Sequence, residues 1–292
     1  MKINPKTRKT VGTNGIILHR GQSSIDGSAI VVIMTGTRDI SANPKTGDML
    51  QTWILVDDFH PMEAIKTGRD SAICGSCPYR GDAQNPRLCY VKLMAPGMIW
   101  KTYRRGGYLD LSAYHDADTI ADIVRDRFVR LGSYGDPLAV QDPGSWRWVD
   151  AAAGRTGYTH RWKNIEQDFR DDDRFGSELA WWRERIMASV DSEPERRTAA
   201  DLGWRTFRPL FAGEDRTRGS EIQCPASKEA GYRATCADCR LCGGTDTGHR
   251  KIAPSVAINI HGPVVGGSRR LPRPVSVPIT IGGIDSGLVV AS

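Results

Sequence analysis

The chain has 292 residues, with 40 Lys and Arg against 34 Asp and Glu, and a net charge of +6 with histidine neutral. At 39% hydrophobic and 25% charged residues it is too apolar for a disordered chain, and no apolar run approaches the about 18 residues that a spanning helix needs. Membrane, secreted-toxin and fibrous classes are excluded, and mild basicity permits a nucleic-acid partner without requiring one. The basic start, MKINPKTRKTVGTNG, has no apolar stretch behind it, so no signal peptide is expected there and a cytoplasmic location is, the host cytoplasm if the protein is viral.

In chain order, residues 1–28 read as an irregular or β arm, and 29–36 (AIVVIMTG) and 52–56 (TWILV) as strands. A cysteine loop follows. Residues 95–108 carry a helical pattern ending at Gly106-Gly107, and 117–128 a second one. A rhythm then sets in: strand 129–133, helix 145–154, strand 156–160, helix 175–186, strand 186–190, helix 194–203, and strands 204–208 and 220–224. Residues 255–262 form one more apolar run, and 263–292 could be a hairpin or an extended arm. Short strands alternating with helices of about ten residues indicate βαβ units and a parallel sheet. The expected architecture is a partial (β/α) barrel of about six parallel strands in 51–223, after an N-terminal arm in 1–50 and before a Cys-rich metal-binding segment and tail in 224–292. No G-x-G-x-x-G or P-loop motif opens a helix, so nothing supports a dinucleotide or P-loop site.

Seven cysteines fall in two groups. The first is Cys74-Gly-Ser-Cys77, then eleven residues, then Cys89; the second is Cys224, eleven residues, then Cys236-Ala-Asp-Cys239-Arg-Leu-Cys242. An odd number with repeated C-x-x-C pairs argues against a disulfide framework and for metal or iron–sulfur ligation, because two thiolates on one tight turn can grip one ion or cluster. The second group supplies four thiolates, enough to close a zinc site or fill a [4Fe–4S] cluster, with His249 and His261 as possible substitutes. The first supplies three and so can leave a position open for chemistry, unless His60 or Asp82 closes it.

Polar residues recur just after the strands: Gly132-Ser133-Tyr134-Gly135-Asp136-Pro137, Thr159-His160, Asp191-Ser192, Arg208, and Cys224-Pro-Ala-Ser227. In a (β/α) barrel those strand ends share one mouth, which makes Asp136, His160 and Asp191 the candidate catalytic residues. Asp191 or Ser192, ahead of Pro194, could equally be a helix N-cap.

The order of these motifs resembles that of radical S-adenosylmethionine enzymes across roughly residues 50–245. Those enzymes place a three-cysteine loop after the first strand of a partial barrel, a Gly-Gly-Glu-Pro-like motif after the second and a Ser-x-Asp-like motif after the fourth. Here the loop 74–89 follows 52–56, Gly132 to Pro137 resembles the glycine-rich acidic motif, and Ser189-Val-Asp191-Ser192 ends the fourth strand. The chain has C-x-x-C-x11-C where the family has C-x-x-x-C-x-x-C, and Asp where it has Glu. The organisation also resembles small barrel proteins of bacteriophages. The resemblance implies a [4Fe–4S] cluster held by Cys74, Cys77 and Cys89, with S-adenosylmethionine on its open iron and an external electron donor. It further implies that Gly132, Ser133, Gly135 and Asp136 bind the cofactor, that Asp191 or Ser192 binds ribose hydroxyls, and that Cys224, Cys236, Cys239 and Cys242 hold an auxiliary cluster or a structural zinc.

Basic stretches at Lys2–Lys9, at Lys101-Thr-Tyr-Arg104-Arg105 and at His160-Arg161-Trp162-Lys163 are compatible with DNA, RNA or a nucleotide as substrate, the last two interleaving aromatics with cations. A solvated face over core aromatics gives the same pattern. The expected function is rearrangement or modification of a nucleobase-linked group in DNA, of the phage hypermodification type. The alternatives are a zinc-dependent, base-transglycosylase-like barrel enzyme and a non-enzymatic, zinc-bound nucleic-acid-binding protein. The transglycosylase motif Asp-Ser-Gly-Gly-Phe is absent, as is a G-x-S-x-G elbow.

Overall fold

Apolar runs place two central strands, β2 (Ala29–Thr35) and β3 (Leu50–Val56), the second buried along its whole length, Gln51 and Thr52 included. The computed structural model describes residues 12–41, 43–81, 87–112, 117–168, 176–246 and 253–260. The chain is mixed α/β and has two sheets. The first runs β4-β1-β2-β3-β5-β6, with β1 at Gly15–Gln22, β4 at Leu109–Asp110, β5 at Phe128–Tyr134 and β6 at Gly154–Thr156. Its pairs β1·β2 and β2·β3 are antiparallel, and the other three are parallel. The second sheet runs β10-β11-β9-β8-β7 and is wholly parallel, with β7 at Tyr158–Thr159, β8 at Met187–Ser189, β9 at Thr206–Leu210, β10 at Glu221–Gln223 and β11 at Ser255–Asn259.

The two sheets meet at Gly157, between β6 and β7. A side chain there would put its Cβ 2.6 Å from Ile186 Cγ2 and 3.1 Å from Leu131 Cβ, so glycine is what fits between Leu131 of β5 and Ile186, the residue just before β8. Its N–H donates to the Cys242 carbonyl at 3.0 Å, and its carbonyl accepts from Met187 N–H at 2.9 Å.

Helices α1 (Pro61–Lys66), α2 (Ser71–Cys74) and α3 (Met94–Arg104) follow β3; α4 (Ala117–Val124) precedes β5; α5 (Trp162–Asp168), α6 (Gly176–Arg185), α7 (Glu193–Asp201) and α8 (Cys236–Cys239) complete the set. One large apolar core joins the first sheet to α4, α6 and four tryptophans, Trp146, Trp148, Trp181 and Trp182, whose ring centres lie 4.9 to 6.2 Å apart in successive contacts. A smaller core holds Met187, Cys224, Ala226, Leu241, Cys242 and Val256.

Several sequence expectations need correction. Residues 15–22 of the arm are a full strand, because they pair along the whole of β2. The segment 145–154 is a 3-10 helix over Pro143–Ala151, capped by the Asp142 carboxylate, and Gly154 opens β6 instead of ending a helix. The strand at 156–160 is divided by Gly157 between the two sheets. The strand at 204–208 begins two residues later, since Arg205 is turned to the carbonyls of Gly244, Ala253 and Pro254. The run at 255–262, left out of the six-strand count, is a central strand between β9 and β10. Lys2–Lys9, Asp82, His249, His261 and the tail 263–292 lie outside the described residues.

Candidate functional site: two gathered cysteine groups

Backbone hydrogen bonds fold the first cysteine loop back on itself. Cys74 ends α2, and Cys77 N–H donates to its carbonyl at 3.2 Å. The Tyr79 carbonyl accepts from both Leu88 N–H (3.0 Å) and Cys89 N–H (2.7 Å), which returns Cys89 to the first pair across eleven residues. Arg80 closes the loop from the other side through a 2.8 Å ion pair with Asp70, itself 2% exposed. The three thiols lie within electrostatic reach of one another. Burial raises the pKa of Cys74 well above the ordinary thiol range, and Cys77, Cys89, Asp70 and Asp136 add to it; burial also pushes up Cys89.

Strand ends supply the floor. The loop after β5 is pinned to α2 by a 2.6 Å hydrogen bond from Asp136 N–H to the Ile73 carbonyl. The Asp136 carboxylate is fully engaged: Oδ1 accepts from Leu138 N–H (3.0 Å), and Oδ2 from Thr159 Oγ1 (3.0 Å) and His160 N–H (2.9 Å). Burial raises its pKa against those bonds. Gly132 and Gly135 both have positive φ, +65° and +79°. A Cβ on Gly135 would stand 2.7 Å from Ile54 Cβ, and one on Gly132 would stand 2.7 Å from the Gly135 carbonyl oxygen, so the close approach they permit is that of β3 and of the turn itself. Ser133 is buried and donates to Gln51 Oε1 at 3.2 Å.

His160 stands between the cysteine loop and the end of β8. Its Nε2 lies 3.1 Å from Asp191 Oδ1, and the ring faces Cys77. Burial opposes its charge, but Cys77 and Asp191 outweigh burial and hold the imidazole well above its ordinary value. Tyr79 packs 5.7 Å from the His160 ring, with its hydroxyl beside Asp191. Ser192 caps α7 by accepting from Glu195 N–H. The strand-end residues Asp136, Thr159, His160 and Asp191 thus form one hydrogen-bonded row against Cys74 and Cys77. Arg208 stands apart in a buried pair with Glu221 (2.6 Å). His60 caps α1 and packs on Trp100.

Sequence reasoning passed over buried donors at this loop, Tyr134 and Arg87 among them. Tyr134 is 3% exposed and its hydroxyl has no acceptor among the described residues; neither has Arg87 Nε. Burial, with Cys74 next, raises the Tyr134 pKa, so the hydroxyl lies within electrostatic reach of that thiol. The alternation of β5 could have pointed to Tyr134, two residues before Asp136.

The second group gathers on three segments. Cys224 follows β10 and donates from its N–H to the Ala257 carbonyl; Cys236 and Cys239 lie one turn apart on α8; the Cys242 carbonyl accepts from Gly157. Helix α8 is short but well started, by a reciprocal cap between Thr235 and Asp238. All four cysteines pack in or against the smaller core. Burial first, then Cys224, Cys236 and Cys239, push Cys242 up to about 12, while the Tyr158 hydroxyl directed at its thiol works the other way. Among the described residues no three or more His, Cys, Asp or Glu side chains stand in an arrangement that holds a metal ion, and no helix is long and apolar enough to cross a membrane.

In the two described basic stretches several side chains are internally engaged. Arg104 meets Asp57 and Asp58, Tyr103 donates to Asp57, Lys163 pairs with Glu195, and Trp162 is buried with its indole N–H on the Ser189 carbonyl.

Fold and site together define a mixed α/β protein with two spatially gathered cysteine groups, the first bordered by a His–Asp pair. Comparison of the chain with protein-family models, curated proteins and solved structures finds no match.

Proposed function

We propose that the chain is a radical S-adenosylmethionine-like iron–sulfur enzyme that modifies or rearranges a nucleobase-linked group in DNA or another nucleotide substrate. The observation that carries this reading is the first cysteine loop: three thiols from one folded-back segment, beside two buried donors, Tyr134 Oη and Arg87 Nε, that lack an acceptor. Buried donors without partners are costly, and an anionic, sulfide-bearing group among them would supply the acceptor. The chemistry of these residues supports a [4Fe–4S] cluster that Cys74, Cys77 and Cys89 would hold. When bound with S-adenosylmethionine, such a cluster supplies one-electron cleavage of a C–S bond and, from it, removal of an unactivated hydrogen. The chain's own share is to hold the loop through Asp70–Arg80 and Asp136–Ile73, to exclude water with the buried floor, and to orient cofactor and substrate with His160, Asp191 and the backbone of 132–136.

The succession of parallel strands β3, β5, β6 with β7, β8, β9, β11 and β10 supports reading the two sheets as parts of one partial (β/α) barrel. The net charge of +6 supports a polyanionic or phosphorylated substrate.

The contact between His160 and Cys77 favours a second reading, a closed Cys3His zinc site. There Asp191 would fix the imidazole as carboxylates do behind zinc-bound histidines, and the protein would be a zinc-dependent nucleic-acid enzyme or binding protein.

Anaerobic purification followed by iron, sulfide and zinc analysis separates the two. Brown protein with iron and sulfide, lost in Cys74→Ala or Cys77→Ala, is expected, and S-adenosylmethionine cleavage with and without DNA is then the activity to assay. Colourless protein holding zinc alone after iron and sulfide reconstitution overturns the radical reading in favour of the second.

A further inference from the structure

Three neighbouring parallel strands of the second sheet, β7, β8 and β9, end at one edge. His160 comes directly after β7, Asp191 two residues after β8, and Phe211 directly after β9. Tyr79 reaches this edge from the cysteine loop. Its ring centre lies 5.7 Å from that of His160 and 6.5 Å from that of Phe211, to which it is near-parallel, at 24°. Tyr79 and Phe211 are both half-buried, and among the described residues neither belongs to either apolar core. Rings in full face-to-face overlap stand about 3.5–4 Å apart, so this pair leaves much of its ring faces uncovered. The Tyr79 hydroxyl is buried and makes no hydrogen bond among the described residues. Phe211 is fixed through its backbone: its N–H donates to Glu214 Oε2 and its carbonyl accepts from Glu214 N–H, both at 3.0 Å. The loop beyond it is tied down by Arg208 on the Asp215 carbonyl (3.1 Å) and by Thr217 on Glu193 (2.6 Å) and Glu221 (2.7 Å).

We infer that Tyr79 and Phe211 form the stacking site for the planar base of the nucleotide substrate, beside the His160–Asp191 pair. The inference rests on the nucleotide reading given above and deepens it. It does not depend on whether iron or zinc occupies the first loop. Uncovered aromatic faces select flat rings, and stacking tolerates any base because each base has a π face. The net charge of +6 favours a base carried by a polyanion over the apolar side chain of a peptide. A base on Tyr79 sits against the ring that itself packs on His160, so its substituents reach the strand-end row. The buried Tyr79 hydroxyl then gains the acceptor it lacks from an oxygen or ring nitrogen of the bound nucleotide. Because the Phe211 backbone is already tied down, little ordering is left for the binding step to supply.

The test uses the full chain with its metal as purified anaerobically. The probe is a single-stranded DNA of about 12 nucleotides with one central 2-aminopurine, whose fluorescence falls when it stacks on an aromatic ring. The parent should bind and quench it. Phe211→Leu and Tyr79→Leu should each weaken binding by about 5- to 100-fold and restore most of the fluorescence of the bound probe, whereas Phe211→Trp keeps both. Tyr79→Phe, which keeps the ring, should keep the quenching and lose only about 2- to 10-fold in affinity. Phe211 lies in neither cysteine group, so Phe211→Leu should hold the parent's metal content, and it carries the test even if Tyr79→Leu disturbs the cysteine loop. Parent affinity and quenching in Phe211→Leu overturn the inference and leave the nucleotide reading standing. Recovery of probe fluorescence on adding S-adenosylmethionine assigns the rings to that cofactor's adenine and overturns the assignment to substrate. A parent that does not bind the probe overturns the inference together with the nucleotide reading.

Discussion

Asp136 and Ile73 are joined by a 2.6 Å backbone hydrogen bond, which fastens the end of β5 to the helix that carries Cys74. From the same residue, the carboxylate accepts from Leu138, Thr159 and His160 and so ties the end of β7 to that junction. Asp136→Ala would leave two backbone N–H groups and a hydroxyl without their acceptor in a buried setting. We expect a loss of about 3 kcal/mol in urea unfolding of the metal-free protein. A residue that acted only on a bound ligand would leave metal-free stability untouched, so an unchanged midpoint would refute this positioning role.

Gly135→Ala should be as damaging for a different reason. The residue has φ +79°, and a Cβ would press to 2.7 Å from Ile54 Cβ and 2.8 Å from the Ile54 carbonyl oxygen in the buried centre of β3. Left-handed strain and overpacking together predict a loss of about 2–4 kcal/mol. Thermal unfolding checks it: a variant that melts with the parent would mean that the turn rearranges freely and is not the rigid floor of the cysteine loop.

Much of this was legible in the sequence, for identifiable reasons. β2 and β3 announce themselves because central strands are apolar on both faces, and α7 because Ser192, Pro194 and Gly203 punctuate it at both ends. The helix expected at 145–154 failed because capping by Asp142 and Pro143 starts a 3-10 turn as readily as an α-helix. The division at Gly157 was hidden because what decides it is crowding by Ile186 and Leu131, residues distant in sequence. At the site, cysteine spacing identified both groups, but not that hydrogen bonds to the Tyr79 carbonyl bring Cys89 home. Asp136, His160 and Asp191 could be named one by one from strand ends; their linkage in a single row is a tertiary fact. Tyr134 looks like an ordinary strand residue until its missing acceptor is seen.

Tyr134→Phe separates the metal-free protein from the loaded one. Deleting a buried hydroxyl that has no acceptor removes an unsatisfied group, so the metal-free variant should be equal to the parent or more stable by up to about 1 kcal/mol. If the first site takes up iron as proposed, the same change removes a donor near Cys74, and visible absorbance should bleach faster under a chelator. Equal bleaching rates in parent and variant would show that the hydroxyl does not serve the first site.

Acid stability should depend on Glu193. Its carboxyl is held down at about 2, against an ordinary 4.5: partial burial opposes ionisation, but hydrogen bonds from Arg196, Thr217 and Arg197 outweigh it. A carboxylate with a depressed folded pKa contributes stability that is fully present above the unfolded value and is lost as pH falls through the folded one. The window therefore runs from about 4.5 down to about 2. The side chain is 27% exposed, so solvent screening limits the contribution to about 1 kcal/mol. Glu193→Gln should lower the urea midpoint above that window and flatten its fall within it. If parent and variant lose stability in parallel through the window, acid sensitivity resides elsewhere, and the tie from α7 to Thr217 does not depend on this charge.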